Sequence, residues 1–70
     1  MDDIRTAVVR AVSIMTGKSE SLIDDNVPLP PDHRELWLRV GIALKEDKFP
    51  QIEHTNAQNI GQLLDELKAG

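Results

Sequence analysis

The chain contains no cysteine and no tyrosine, and one tryptophan and one phenylalanine are its whole aromatic content. Without cysteine, thiol nucleophiles, thiolate metal ligands and disulfides are all excluded. No apolar run approaches the length needed to span a bilayer, and the opening "MDDIRTAVVR" carries acids where a signal peptide carries its basic region. The expectation is a cytoplasmic chain with no membrane association. Positive charge is also scarce. Eight Lys and Arg against twelve Asp and Glu leave a net charge of -4, and the basic residues are dispersed rather than massed in a stripe. Nucleic-acid binding draws most of its nonspecific affinity from phosphate contacts, so this balance argues against DNA or RNA and favours a basic protein partner.

What is present suffices for one small domain. Seventy residues lie near the lower limit for a fold without disulfides or metal, so residues 1–70 form a single unit. Hydrophobic residues at 40% and charged residues at 29% give an ordinary globular balance, too apolar for a disordered tail.

Three segments carry helical periodicity. From Asp2 to Met15, residues Ile4, Ala7, Val8, Ala11, Val12 and Met15 recur at the spacing of one helix face. Asp2 and Asp3 suit the positive end of that helix, and Gly17 can take the left-handed conformation beyond its last turn. The stretch "SESLIDDNVPLPP" holds three prolines and cannot continue a helix, so it predicts an ordered loop with Leu22, Ile23, Val27 and Leu29 tucked beneath the helices. A strand is the competing reading there, with no evident pairing partner. Asp32 then begins the main helix, with Glu35 as the second half of a capping box, and Pro50 predicts its end near Phe49. This helix bears two apolar arcs: a broad one of Leu36, Trp37, Val40, Ala43 and Leu44, and a narrower one of Leu38, Ile42 and Phe49. Gly41 inside it suggests close packing. "PQIEHTNAQN" reads as a linker or a single turn, with Thr55/Gln58 and Asn59/Gln62 both available as capping pairs, and Ile60, Leu63, Leu64 and Leu67 mark the last helix. The fold class is all-α, a small three- to four-helix bundle with a long first loop.

With this order of elements, "LIDDNVPL" in the loop, "LWLRVGIALKEDKF" in the second helix and "NIGQLLDEL" in the last, the chain resembles the acyl carrier proteins. The resemblance covers nearly the whole chain and rests mostly on hydrophobic spacing. It implies the acyl-carrier-protein fold and a second helix that docks on a larger protein, such as an enzyme of a biosynthetic pathway. The family's mark is a serine in an Asp-Ser-Leu motif at the start of that helix, which carries phosphopantetheine. Aligned through Ala43 and Leu44 that position is Arg34, and aligned through Phe49 it is Glu35 followed by Leu36. Neither can hold the arm, and "LPPDH" replaces the family's approach to the serine. No cofactor is therefore expected.

On the first alignment Leu38 and Ile42 fall on the face that carrier proteins present to their enzymes. The expectation is a noncatalytic interaction module whose partner-binding residues are Arg34, Glu35, Leu38, Arg39 and Ile42. The plainer alternative packs Leu38 and Ile42 on the loop or on the segment before the last helix, and homodimerisation is another use of the same arc. A divergent acyl or peptidyl carrier modified at an unexpected serine is the second functional class, and Ser21 in "ESLID" is its candidate, although Pro28, Pro30 and Pro31 follow too soon for a recognition helix to begin there.

Other chemistry lacks its residue pattern. Histidine is the usual acid–base group near neutral pH, but neither His33 nor His54 comes with a nucleophile, and no catalytic residues are expected. A zinc site from Asp32, His33, Glu53 and His54 lacks helical ligand spacing, and "IDDN" lacks the alternating ligands of a calcium loop. Trp37 reads as a core or core-edge residue. The charges Arg34, Glu35, Arg39, Lys45, Glu46, Asp47 and Lys48 read as a wet surface that can also steer a partner.

Overall fold

The computed structural model describes residues 3–45 and 49–69, and their order is α1 (Asp3–Thr16), a short 3-10 turn (Glu20–Leu22), α2 (His33–Leu44), a longer 3-10 turn (Pro50–His54) and α3 (Ile60–Ala69). Asp2 and Glu46 to Lys48 lie outside the described residues. In α1 the periodic face is the buried one: Ala7, Val8, Ala11 and Val12 are enclosed, with Ile4 and Met15 half-buried against them. The helix stops at Gly17, whose φ of 76° lies in the left-handed region and whose N–H donates to the Ser13 carbonyl at 2.9 Å.

The loop after α1 is ordered by its contacts with α3. The Val27 carbonyl accepts from the Ile60 N–H at 3.1 Å, the Asp25 carbonyl accepts from the Gly61 N–H at 3.0 Å, and the Leu29 N–H donates to the Gln58 carbonyl at 3.3 Å. The opening N–H groups of a helix have no partner within it, so this loop satisfies donors that α3 cannot satisfy itself. Pro28 and Asn59 form an isolated antiparallel bridge. The pairing partner that the sequence did not reveal is thus the segment before α3, over one bridge rather than a strand. Asp24 closes a local turn by accepting from the Asn26 N–H at 2.9 Å, and Asp25 pairs with Arg5 at 2.6 Å.

Of the four loop hydrophobes, Ile23 is buried and Val27 and Leu29 are half-buried, but Leu22 is 68% exposed. The expectation that all four tuck inward fails at Leu22. It closes the first 3-10 turn, whereas Ile23 is extended, and adjacent residues at such a junction project to different sides.

Asp32 caps α2 as expected, its Oδ1 accepting from the Glu35 N–H at 3.0 Å. The reciprocal half of the capping box is not made: the Glu35 carboxylate instead accepts from Arg39, one turn on, at 3.3 Å. The helix also ends earlier than Pro50 predicted. Lys45 takes the left-handed conformation at φ 62°, and its N–H turns back to the Gly41 and Ile42 carbonyls. Phe49 consequently leaves the narrower arc of α2; it precedes the second 3-10 turn and packs half-buried on the core. Pro50 opens that turn, where its missing N–H costs nothing.

α1 packs against both α2 and α3, and α2 packs on the second 3-10 turn, which delivers Ile52 to the centre. Leu36, Val40, Ile52, Ile60 and Leu63 meet Val8 and Val12 as the fully buried side chains. Gly41 is buried in α2. Asn59 proves to be the cap of α3, its Oδ1 accepting from the Gln62 N–H at 2.9 Å, while Gln62 Oε1 accepts from the Gln58 N–H at 2.9 Å. Thr55 does not cap α3; it is buried, and its hydroxyl accepts from the Ala57 N–H and donates to Glu66 at 2.6 Å. The described residues form an almost isometric body of 26 × 25 × 23 Å.

Candidate functional site

Two apolar residues one turn apart on α2 stay in water. Leu38 is 44% exposed and Ile42 is 74% exposed. Across from them on α1, Ile14 is 56% exposed. The core excludes these side chains for a geometric reason: α2 turns Leu36 and Val40 inward, and positions two residues beyond either project from a different side of the helix.

Ile14 and Ile42 line an open groove of about 280 Å³ between the two helices. Ala11 and Ala43 complete its apolar surface, and their small side chains leave the depth that larger residues would fill. Arg10, Arg39 and Lys45 supply its polar lining. Arg10 stands one turn before Ile14, and the left-handed turn at Lys45 closes the helix beside Ile42.

These cations are weakly occupied. Arg10 Nε lies 3.9 Å from a Glu20 carboxylate oxygen, and Arg39 donates to Glu35 at 3.3 Å; both pairs are substantially exposed. Exposed ion pairs of this kind contribute about 0–1 kcal/mol. The Arg39 Nε–H is buried without a hydrogen-bond partner, and Lys45 has no acidic partner among the described residues. No carboxylate lines the groove among the described residues.

The five residues expected to bind a partner do share the outer side of α2, but not equally. Leu38, Ile42 and Arg34 are exposed, whereas Glu35 and Arg39 are half-buried. Sequence reasoning missed the contribution of α1. The signal was Ile14 itself, a large apolar residue outside the periodic face of that helix. Val9 also lies outside that face, yet it packs against the core. Trp37 sits half-buried beside the core with its Nε1–H unpartnered.

The remaining candidates are dispersed. His33 is half-buried in the first turn of α2, and His54 is exposed at the end of the second 3-10 turn. Among the described residues no three His, Asp or Glu side chains gather as a metal-ion site. The acids of "IDDN" serve the local turn and the bridge to Arg5. Ser21 is exposed on the first 3-10 turn, its hydroxyl 3.0 Å from that of Ser19. Among the described residues no helix is long and apolar enough to cross a membrane. No family model matches the chain, and no curated protein or solved structure is significantly similar to it.

Proposed function

We propose that the protein is a noncatalytic interaction module of acyl-carrier-protein-like type, which docks on a larger protein through the outer face of α2 and carries no phosphopantetheine arm. The observation that carries this reading is the exposure of Leu38 and Ile42 beside Ile14 in a domain whose core closes without them. Single exposed apolar residues are ordinary; here Ile14 and Ile42 share one groove lined also by cations, and Leu38 stands one turn before Ile42 on the same helix. Supporting the carrier-like type are the attachment of the segment between α1 and α2 to the start of α3 and the short 3-10 turn between α2 and α3. Supporting the absence of an arm is the start of α2, where Asp32, His33, Arg34, Glu35 and Leu36 offer no hydroxyl. Docking excludes water around apolar anchors, while the surrounding charges set orientation and encounter rate.

The test compares the wild type with the Leu38→Ser/Ile42→Ser double variant as bait, after both show the same cooperative unfolding. A partner retained by the wild type and lost by the variant supports the docking face. Equal retention by both moves the site elsewhere. The competing carrier function is tested separately, by intact mass after incubation with coenzyme A and a broad-specificity phosphopantetheinyl transferase. An unchanged mass is expected, and a stoichiometric adduct, with Ser21 the first residue to map, would replace the present reading.

A further inference from the structure

Although the whole chain is acidic, which favours a basic partner, the charged residues that line the groove are cations. Its lining contributes Arg10, Arg39 and Lys45 and no carboxylate among the described residues. Two of these cations are paired at the rim, Arg10 with Glu20 at 3.9 Å and Arg39 with Glu35 at 3.3 Å, but such exposed pairs contribute about 0–1 kcal/mol and can be exchanged for a partner's carboxylates. Resting on the docking function proposed above, we infer that the groove between α1 and α2 receives an acidic amphipathic helix of the partner protein. Its apolar stripe sits on Ile14 and Ile42, and its flanking carboxylates face Arg10, Arg39 and Lys45.

The shape of the occupant follows from the walls. Both are α-helices, whose backbone donors and acceptors are consumed internally, so an extended peptide finds no free edge to pair with. A helix needs only side-chain contacts and lays one apolar row into such a groove. Its carboxylates replace or join the exposed ion pairs that Arg10 makes with Glu20 at 3.9 Å and Arg39 makes with Glu35 at 3.3 Å. A second copy docked groove to groove about a two-fold axis would set the same three cations against their own images, which costs energy at a buried face. An anionic membrane matches the charge, but it needs apolar side chains on a protruding ridge, whereas Ile14 and Ile42 line a concavity.

The experiment follows backbone amide and methyl NMR signals of the full chain during titration with two synthetic helical peptides. One carries a leucine stripe flanked by glutamates, and its twin has every glutamate replaced by lysine. The glutamate peptide is expected to shift signals at Arg10–Ile14 and Arg39–Lys45, and to bind at least about tenfold more tightly than the twin, with that preference falling as salt rises. Arg39→Gln/Lys45→Gln should erase most of the preference. Ile42→Ser should weaken the glutamate peptide by about tenfold or more without altering the unfolding midpoint. Groove shifts with the lysine twin at equal or higher affinity overturn the acidic assignment while leaving docking through α2 intact. An absence of groove shifts with the glutamate peptide overturns the helix-in-groove assignment, and the bait comparison then decides independently whether α2 docks at all. Groove shifts on raising protein concentration alone, or stronger binding to phosphatidylserine vesicles than to the glutamate peptide, identify a second copy or a membrane instead and equally overturn it.

Discussion

At the start of α3 the successive N–H groups of Ile60, Gly61 and Gln62 each find a partner, in the carbonyls of Val27 and Asp25 and the side chain of Asn59. Along the outer edge of α1 and α2, Ile14 and Ile42 face water, and Arg10 and Arg39 make only exposed ion pairs. Both regions join segments distant in sequence. One is closed by intramolecular bonds and buried leucines; the other leaves both its apolar and its polar capacity open. In a domain this small nearly every apolar residue is needed for the core. The proposed docking role rests on Ile14 and Ile42, which stay exposed outside a core that closes without them.

The comparison breaks most sharply under substitutions that should unfold one region and leave the other indifferent. Leu63, fully buried on α3, should cost about 2–5 kcal/mol when changed to Ala, enough to remove most of the stability of a domain of this size. Urea denaturation would measure it. At Gly61 an added Cβ would meet the Asp25 Cβ at 3.1 Å and the Asp25 carbonyl oxygen at 3.3 Å. Asp25 is fixed by its pair with Arg5 and by its bond to the Gly61 N–H, so it has little room to yield. Gly61→Ala should thus destabilise by about 1 kcal/mol despite alanine's better helix propensity, because overpacking typically costs about 1–3 kcal/mol. A gain in the thermal midpoint would show that the loop can retreat. Asn59→Ala should cost about 1 kcal/mol through loss of the cap, and Asp32→Ala should cost a similar amount at α2.

On the open side the expected effects on folding are smallest. Ile14→Gln and Ile42→Ser should each shift stability by no more than about 0.5 kcal/mol, as for other surface substitutions. A loss of several kcal/mol at either would mean that the groove belongs to the core and would cancel the contrast between the two regions.

Periodicity made the closed side legible. The spacing of Ile60, Leu63, Leu64 and Leu67 marks α3, and the face from Ile4 to Met15 marks α1, because a buried helix face must repeat with the helical turn. The attachment of the loop to α3 was not legible, since it uses backbone carbonyls of Asp25 and Val27 that any residue type could supply. The end of α2 was misplaced for a similar reason. Pro50 is a visible stop, whereas the actual stop is a left-handed Lys45, a conformation no lysine advertises. On the open side the two-arc pattern of α2 exposed Leu38 and Ile42 to view in the sequence, but the groove required knowing which face of α1 lies beside them. Arg10 and Ile14 entered only when the helices were packed together.

The most direct test of a docking role for the open edge is site-specific photo-crosslinking in the cells that make the protein, with a photoreactive side chain at Ile42 and, as a control, at the exposed His54. The expected result is a discrete crosslinked protein from position 42 that is absent from position 54 and disappears when Leu38 is also changed to Ser. Crosslinking from 54 but not from 42, or none from 42 in a folded and expressed protein, would contradict the assignment of this edge to partner binding.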